Sequence, residues 1–302
     1  MLSTEQTSPM TGARQTMSTW SRQIESIEDV PGDFQELFNT LPDTGNTFPY
    51  TVFAPRITQL LHRNPENVIC DTDGTWHIIK NSGGEIELTS YPVQHICDIE
   101  LGQILLYSWI TVNGQTLDGK TASSSIEFNA ATARFYDHFF DQFKPAPPIK
   151  NDVSLETEQA KFDSLASSTF KFMNYASNSI TAGEEIIQFI WQPEIRVPRL
   201  PFLHLPFLHT VTTAHLLILT DKQVIVLRDD ERSQLNKDRR YGGVRHFIPL
   251  HNILTSSLEQ KENLLVFRLK LCDDRHVEWL FAETHRKELE KFQNLLNQHL
   301  TH

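Results

Sequence analysis

Two regions of the chain carry the same sequence motifs in the same order, and this repeat constrains the fold more than any other feature. The aligned pairs are Thr72–Lys80 with Thr220–Arg228, Pro92–Ile96 with Pro249–Ile253, Phe128 with Phe281, and Phe139 with Phe292. A spacing of roughly 150 residues is far longer than the period of about 20–50 residues that a solenoid uses. The sequence therefore predicts two copies of one domain within 302 residues.

The spacing between aligned motifs changes along the chain, and the changes fall where loops are expected. The second copy has nine extra residues before Pro249, within the charged stretch 229–246. The first copy has four extra residues after Pro92, which we assign to 113–122. Insertions collect in loops because loops tolerate changes in length, so these differences support the alignment.

Each copy contains short β-like runs separated by turn signals, followed by one amphipathic helix. In the first copy, the clearest predicted strands are Trp76–Lys80, Glu85–Val93 and Ile104–Val112, with turns at Asp73-Gly74, 82–84 and Asn113-Gly114. In the second copy, the predicted strands are Glu185–Arg196, Thr212–Thr220, Gln223–Asp229, Val244–Ile253, Leu254–Gln260, Asn263–Cys272 and Arg275–Phe281. The helices predicted to close the copies are Ala130–Phe143 and His285–Leu300.

The first copy is preceded by a polar segment and a short helix. Residues 1–31 have little apolar periodicity, which predicts a mostly disordered tail. The capping-box spacing of Asp33 and Glu36 predicts a helix over Asp33–Leu41. Phe48–Cys70 stays ambiguous between strand and helix, because part of it has helical apolar spacing.

A linker and a connecting helix separate the two copies. Three prolines within Lys144–Lys150 predict an irregular linker, and helical apolar spacing predicts a helix over Leu155–Ser177. We therefore divide the chain into a tail (1–31), a first unit (32–145), a linker with its helix (146–180) and a second unit (181–302).

The charge and cysteine content exclude several classes of protein. The chain has 27 Lys and Arg against 38 Asp and Glu, a net charge of −11, which argues against general nucleic-acid binding. No stretch approaches the roughly 20 apolar residues that a spanning helix needs, and the N-terminus lacks a signal-peptide pattern. Cys70, Cys97 and Cys272 are too few for a disulfide framework and fit a reducing cytosol. The sequence therefore predicts a cytoplasmic protein.

The second copy resembles the pleckstrin-homology (PH) fold, in which seven antiparallel strands are followed by one helix. Gly183–Ile187, Leu217–Asp221 and Phe247–Ile253 are similar to segments of bacterial PH-like domains. The resemblance covers about 120 residues of the second copy and, more weakly, about 95 of the first. It implies a mainly β, α+β protein of bacterial type with two PH-like units, each a bent seven-stranded sheet or barrel capped by its C-terminal helix.

An apolar, proline-rich loop after the first strand of the second copy is the strongest candidate binding element. Its candidate residues are Arg196, Arg199, Phe202, Leu203, Phe207 and Leu208. In PH domains this loop often meets inositol phosphates or a membrane, so the resemblance implies an apolar contact with arginines beside it. The alternative is that the loop folds back over the second unit or the linker helix.

A second candidate set is basic: Lys222, Arg228 and Arg245, with four further Lys and Arg between them. Phosphate binding requires such donors to converge. Acidic residues lie among these cations, so the alternative is a solvated charged loop. The first copy has no comparable cluster.

We find no catalytic, cofactor or metal motif. The chain lacks GxGxxG before a helix, GxxxxGK[ST], HExxH and GxSxG. His204, His209 and His215 lack metal-ligand spacing, and His77 is expected to face solvent or a hydrogen-bond partner. His95 and Cys97 would share a strand face without a third catalytic group.

The sequence thus predicts a non-catalytic binding or scaffold protein without cofactor or metal. Its partner would be another protein or a second copy of itself, bound through exposed sheet edges and the 196–209 loop. The alternative is a peripheral module at the inner membrane face that binds phospholipid through that loop.

Overall fold

The fold is mainly antiparallel β-structure accompanied by short helices. The computed structural model describes residues 17–42, 48–59, 62–144, 154–198, 208–230 and 242–300. The strands, numbered along the chain, are β1 (Arg22–Ile24), β2 (Tyr50–Ala54), β3 (Thr58–Gln59), β4 (His62–Arg63), β5 (Glu66–Thr72), β6 (Thr75–Asn81), β7 (Ile86–Pro92), β8 (Ile96–Ile104), β9 (Tyr107–Gln115), β10 (Thr121–Asn129), β11 (Ile186–Gln192), β12 (Ile195–Pro198), β13 (Leu208–Thr212), β14 (His215–Thr220), β15 (Gln223–Arg228), β16 (Gly242–Pro249), β17 (Ile253–Lys261), β18 (Leu264–Leu271) and β19 (His276–Ala282). The α-helices are α1 (Gly32–Phe38), α2 (Asp137–Phe143), α3 (Leu155–Ala160), α4 (Phe170–Ser177) and α5 (Arg286–Leu300).

The two halves of the chain follow the same order of elements. Each has four main antiparallel strands, then a single 3-10 turn, then three strands and a helix. The first half uses β2, β5, β6 and β7, then β8 to β10, and ends in α2. The second half uses β11, β14, β15 and β16, then β17 to β19, and ends in α5. A two-stranded hairpin follows the first main strand in both halves, β3–β4 in one and β12–β13 in the other.

The motifs aligned in the sequence occupy equivalent positions in the two halves. Pro92 and Pro249 each end a fourth main strand, and each is followed by a 3-10 turn, Val93–His95 or Leu250–Asn252. The next strand then begins at Ile96 or Ile253. The aligned phenylalanines are also equivalent, since all four are buried in the core of their own half. These are Phe128, Phe139, Phe281 and Phe292.

The two halves share a sheet. A seven-stranded sheet has the order β10-β9-β8-β16-β15-β14-β11, so it joins the last three strands of the first half to the first four of the second. A five-stranded sheet, β1-β2-β5-β6-β7, and a three-stranded sheet, β17-β18-β19, complete the larger sheets. This differs from the expected seven-stranded sheet or barrel within each unit: the sheets are not closed, because β8 pairs with β16 of the other half.

Four hydrophobic clusters fill the spaces between these layers. One lies in each half between its two sheets and its C-terminal helix. A third lies under the linker helices, where Phe162 and Phe172 pack on Leu216 and Leu227. The fourth lies under α1, where Phe34 and Phe38 cover Val68. The linker helices and α1 therefore belong to the packed structure.

Several predicted elements need correction near the N-terminus and in the first half. Residues 22–24 of the expected disordered tail form β1, which pairs with β2 and buries Ile24; residues 1–16 lie outside the described residues. Helix α1 ends at Phe38, and Asp33 does not cap it but accepts a hydrogen bond from Asn81. In the ambiguous region 48–70, the described residues form β2, β3, β4 and the start of β5, joined by irregular segments.

Three other predicted elements differ from the structure. The predicted strand Ile104–Val112 spans the turn between β8 and β9, where Leu105 adopts a positive φ of 54°. Asn113-Gly114 is not a turn but part of β9, where both residues pair with β8; only glycine fits at position 114, since a side chain there would overlap the carbonyl of His95. The connecting helix is broken between Leu165 and Phe170 into separate segments. Residues 145–150 of the predicted linker lie outside the described residues.

A test of the shared sheet concerns Gly102 in β8. A side chain there would overlap the buried ring of Trp109 on the adjacent strand, so Gly102→Ala should lower the free energy of unfolding by about 2 kcal/mol. Gly32→Ala is the control, because a Cβ at Gly32 meets nothing within 4 Å. Urea unfolding of both variants checks this; equal stability of the two would contradict the packing at Gly102.

Candidate functional site

Asp98, the most deeply buried charged residue in the described part of the chain, lies where the two halves meet. β8 and β16 pair antiparallel from Ile104 opposite Gly242 to Ile99 opposite Phe247. Asp98 lies immediately beside this ladder, next to a register shift in the β8–β9 pairing. Its side chain is completely buried. A buried carboxylate requires paired charges and hydrogen bonds, so its neighbours decide whether the junction is stable.

Asp98 is surrounded by donors from three other elements. Asn113 Nδ2 in β9 donates to Asp98 Oδ1 over 2.8 Å. His246 Nε2 in β16 lies 2.8 Å from the same oxygen and donates to it, since an ionised carboxylate only accepts. Arg275, in the turn before β19, donates to Asp98 Oδ2 and also to Asp273. Both oxygens of Asp98 are thus satisfied, and its donors come from both halves.

The electrostatics of Asp98 favour its ionised form. Burial alone raises the pKa of this carboxyl group, but His246 and Arg275 oppose that effect by charge and hydrogen bonding and bring the pKa below its usual range. The pKa of Arg275 is raised, because Asp98 and Asp273 outweigh its own burial. Asp98 and Arg275 therefore form an ion pair at neutral pH.

A second ion pair extends this cluster along the seven-stranded sheet. Glu100 in β8 accepts hydrogen bonds from Arg228 in β15 at 3.2 and 3.3 Å. His246 lies between the two carboxylates, with Nδ1 3.7 Å from Glu100 Oε1. We call Asp98, Glu100, Arg228, His246 and Arg275 the inter-unit junction.

A disulfide lies beside the inter-unit junction. Cys97 in β8 is bonded to Cys272, 175 residues later in the second half. Asn252 donates to the Cys97 carbonyl, and its own carbonyl accepts from the Cys272 amide. The expectation that the three cysteines remain reduced therefore needs correction: two are bonded and Cys70 is free and buried. Cys97 and Cys272 lie far apart in the sequence, so the sequence alone did not indicate that they pair.

The inter-unit junction does not have the geometry of a catalytic site. A histidine oriented by an aspartate is half of a catalytic triad, but the other ring nitrogen of His246 faces Glu100 instead of a nucleophile. Within the described ranges, no group of three or more His, Cys, Asp or Glu is arranged to hold a metal ion. The contacts of this cluster link β8 to β15, β16 and the turn before β19.

The candidate residues of the proline-rich loop are only partly described. Arg196 is exposed and pairs with Glu194, whose carboxylate raises the pKa of Arg196. Leu208 begins β13, but its side chain is not described. Arg199, Phe202, Leu203 and Phe207 lie outside the described residues, so the interpretation of this loop stays a prediction.

The candidate basic residues do not converge within the described part of the chain. Arg228 contacts Glu100, whereas the guanidinium of Arg245 lies 5.3 Å from the centre of the Tyr175 ring. Arg228 pairs with Val244, the neighbour of Arg245, so the two arginines lie on opposite faces of the sheet. Lys222 is half-buried in the turn between β14 and β15. These three cations therefore do not form one phosphate site.

A buried polar row crosses the outer face of the five-stranded sheet. His77 Nε2 contacts Thr72 Oγ1 at 2.5 Å and Nδ1 contacts Ser90 Oγ at 2.8 Å, which is the predicted hydrogen-bonded alternative to solvent. Burial lowers the pKa of His77 and raises that of the neighbouring Cys70 to about 12. The row ends at Ser90 on β7, the last strand of this sheet.

The outer edge of β7 presents main-chain groups that no other strand in the described part of the chain covers. The Ser90 carbonyl points away from β6, because it accepts a hydrogen bond from the Leu117 amide over 3.0 Å. Alternate residues of a strand point to the same side, so Leu88 and Ile86 also direct their amide and carbonyl groups outward. Across the described residues, no backbone group pairs with them on that side. We call residues 86–90 the β7 edge.

The β7 edge also offers an apolar side chain. Leu88 is 36% exposed, and Leu117, in the turn between β9 and β10 whose amide bonds to Ser90, is 62% exposed. β10, the end strand of the seven-stranded sheet, instead presents Thr121, Ser123 and Ser125. Among the four end strands of the two large sheets, as far as they are described, β7 alone combines an open backbone with an exposed leucine.

No protein-family model matches the chain, and a search of curated proteins gives no significant match. None of the helices in the described part is long and apolar enough to cross a membrane.

A substitution at Asp98 tests the inter-unit junction. Asp98→Asn should lower the free energy of unfolding by about 3 kcal/mol, because it leaves Arg275 and His246 without their shared carboxylate. The matched control is Asp274→Asn, since Asp274 is 82% exposed in its pair with Lys270 and should cost less than about 1 kcal/mol. Chemical denaturation at pH 7 measures both.

Comparing the Asp98→Asn variant with the wild type also gives a pH test. Because the folded pKa of Asp98 lies below its usual value, its stabilisation is present above the unfolded pKa of about 4 and is lost as pH falls through the folded pKa. The Asp98→Asn variant should therefore lose less stability than the wild type below pH 4. Parallel acid profiles for both proteins would contradict the role of Asp98.

Thiol counting tests the disulfide. In denaturant without reductant, only Cys70 should react with a thiol reagent, and after reduction all three cysteines should react. The protein is purified without reductant and denatured directly in the thiol reagent, so that free thiols are labelled before they can oxidise. Reaction of all three without reductant would show that Cys97 and Cys272 are not bonded.

Proposed function

We propose that the chain is a non-catalytic scaffold protein, built by duplication from two PH-like units, that binds a partner protein by strand pairing at the β7 edge. Four strands, three strands and a helix, repeated twice with motifs at equivalent positions, support the PH-like interpretation. The inter-unit junction supports a rigid arrangement of the two units, because it ties β8 to β15, β16 and the turn before β19.

The observation that carries the binding proposal is the open backbone of Ile86 and Leu88. An extended segment placed beside β7 would satisfy these groups with main-chain hydrogen bonds, which is how peptides add to sheet edges. Every second side chain of this added segment would contact Leu88. The contact would lie on the face of the sheet that α1 partly covers, because Ile86 on the same face packs into the cluster under α1. Main-chain bonds would supply affinity, and the leucine would favour an apolar residue opposite it.

Three of the other end strands, β17, β11 and β10, support this choice. Helix α5 lies along β17, and Gln293 donates to the Ser256 carbonyl at its edge. Gln188 of β11 donates to the Glu288 carbonyl of the same helix. Exposed hydroxyl side chains line β10. Natural proteins cover exposed strand edges or place polar and charged side chains on them, which prevents unwanted pairing. An uncovered edge with an exposed leucine therefore favours a binding role.

Peptide selection tests this proposal directly. Random 12-residue peptides selected on the full chain should include extended sequences that bind wild type and lose about tenfold affinity for Leu88→Pro, which removes an outward N–H. Proline is tolerated at an edge strand when its missing N–H faces outward. Fluorescence anisotropy of labelled peptides measures the affinities.

Ser123→Pro is the matched control, because Ser123 lies on the other open edge, in β10. Peptides that pair with β7 should bind this variant as they bind wild type. Equal binding to the Leu88→Pro and wild-type proteins, with both folded by circular dichroism, would overturn strand pairing at β7.

The peripheral membrane module stays the alternative prediction, because most of its loop lies outside the described residues. Flotation with neutral and anionic liposomes, comparing wild type with a Phe202→Asp/Phe207→Asp variant, decides it. Flotation of the wild type alone would favour the membrane module, and absence of flotation from both folded proteins would remove it.

A further inference from the structure

We propose that the Cys97–Cys272 disulfide is a reversible site of thiol–disulfide exchange with a small thiol such as glutathione. Cys272 is the residue whose sulfur is attacked, and Cys97 is the buried partner that is released and later re-forms the bond. Three features support this assignment: the unequal exposure of the two cysteines, the contacts that hold them together without the bond, and the equivalent bulge in the second half, which contains no cysteine.

The two cysteines differ in their access to solvent. Cys97 lies in β8 and is completely buried, whereas Cys272 follows β18 and is only half-buried. Exchange requires a thiolate to attack one sulfur of the bond directly, so access decides which sulfur reacts. A small thiol can therefore reach Cys272 in the folded protein but cannot reach Cys97.

Hydrogen bonds from one asparagine hold the two cysteines together whether or not their sulfurs are bonded. Asn252, in the 3-10 turn before β17, donates from Nδ2 to the carbonyls of Ile96 and Cys97 over 2.9 and 3.0 Å. Its own carbonyl accepts from the Cys272 amide over 2.9 Å. The Cα atoms of the cysteines lie 6.2 Å apart, within the range of a disulfide. After reduction, both thiols therefore stay positioned to bond again.

The second half forms the same local backbone without a disulfide. Cys97 is the extra residue of a bulge in β8, because the pairing of β8 with β9 shifts in register between Ile96 and Asp98. Leu254 occupies the equivalent bulge in β17 and is 50% exposed. The bulge therefore does not depend on a disulfide, and the bond between the halves is an addition to the repeated unit.

The two halves keep other contacts when the disulfide opens. The β8–β16 ladder remains, and Asp98 still accepts hydrogen bonds from His246 and Arg275. Reduction thus removes a covalent link between residues 175 apart in sequence without removing the shared sheet. We expect the reduced protein to stay folded, so the exchange operates between two folded states.

Reduction proceeds in two exchange steps. A glutathione thiolate attacks Cys272 Sγ and forms a mixed disulfide, while the bond to Cys97 breaks and Cys97 leaves as a thiolate that takes up a proton. A second glutathione thiolate then attacks the glutathione sulfur of the mixed disulfide, and Cys272 leaves as a thiolate that also takes up a proton. The protein gains two electrons and two protons, and two glutathione molecules become one glutathione disulfide.

Oxidation follows the reverse route. The Cys272 thiolate attacks glutathione disulfide, and the Cys97 thiolate then attacks Cys272 Sγ and displaces glutathione. Cys97 needs no access to solvent for this step, because its target lies beside it. Cys70 takes no part, since it is buried and its pKa is raised to about 12.

The rate of reduction of the full-length wild type tests the attack on the folded protein. The rate should rise in proportion to glutathione concentration and stay nearly constant up to about 1 M urea, because direct attack requires no unfolding. Alkylation of samples at successive times, followed by mass spectrometry, counts the thiols formed. A rate that rises with urea in parallel with the equilibrium for global unfolding would show that the bond opens only in unfolded chains, and would overturn the inference.

Single-cysteine replacements identify the sulfur that reacts. Folded Cys97→Ser treated with glutathione disulfide should gain one glutathionyl group, at Cys272, which peptide mapping by mass spectrometry locates. Cys272→Ser is the matched control, and its Cys97 should react only after denaturation. Equal modification of the two folded variants would overturn the assignment, and so would an unmodified Cys272. The urea experiment uses wild type alone, so it decides the question if either variant fails to fold.

Return of the bond tests reversibility. Folded, reduced wild type mixed with glutathione disulfide should lose two thiols, with a mixed disulfide at Cys272 as a short-lived intermediate. Circular dichroism should stay unchanged throughout. A mixed disulfide that accumulates and does not give way to the Cys97–Cys272 bond would overturn the role of Cys97.

Discussion

The pairing of β8 with β16 is the interaction on which the rest of the structure depends. It makes one sheet from strands of both halves, so neither half has a complete set of sheets without the other. The same ladder brings Asp98 against His246 and places Cys97 near Cys272. The two units are therefore one structural assembly, in contrast to two domains joined by a flexible linker.

The inter-unit junction restricts the register of this pairing. Side chains alternate between sheet faces, so a slip of one residue in β16 would move His246 away from Asp98 to the opposite face. Asp98 would then be a buried charge with fewer partners, which costs several kcal/mol. Glu100 and Arg228 would be misaligned by the same slip. The charges thus select one arrangement of the units, while the apolar cores supply most of the stability.

Sequence patterns predicted the strands and helices well where apolar periodicity and turn residues were clear. Thr75–Asn81 follows the predicted turn at 73–74, the predicted strand Gln223–Asp229 is confirmed as Gln223–Arg228, and α5 begins one residue after its predicted start. The turn between β8 and β9 was missed because Leu105 and Leu106 are apolar and resemble strand residues. The disulfide and the shared sheet were missed because both depend on contacts between distant segments.

The inter-unit junction gave one local signal that could have been used. Asp98 interrupts the apolar run Ile96–Ile99 in β8, which indicates a charge that must be paired if it is buried. Its partners His246 and Arg275 have no local signal, since their role depends on the pairing of β8 with β16. The β7 edge was equally hidden, because alternation identifies a strand but not whether a neighbour covers it.

Hydrogen exchange of the native protein, measured by mass spectrometry with increasing denaturant, tests whether the pairing of β8 with β16 makes the two halves one cooperative structure. If the shared sheet unites the two halves, amides of residues 99–104 and 242–247 should exchange only through global unfolding, with the same free energy as the cores around Ile78 and Phe267. Exchange of these two segments at a clearly lower free energy, while both cores stay protected, would show that the halves separate at β8 and β16 and would contradict the account.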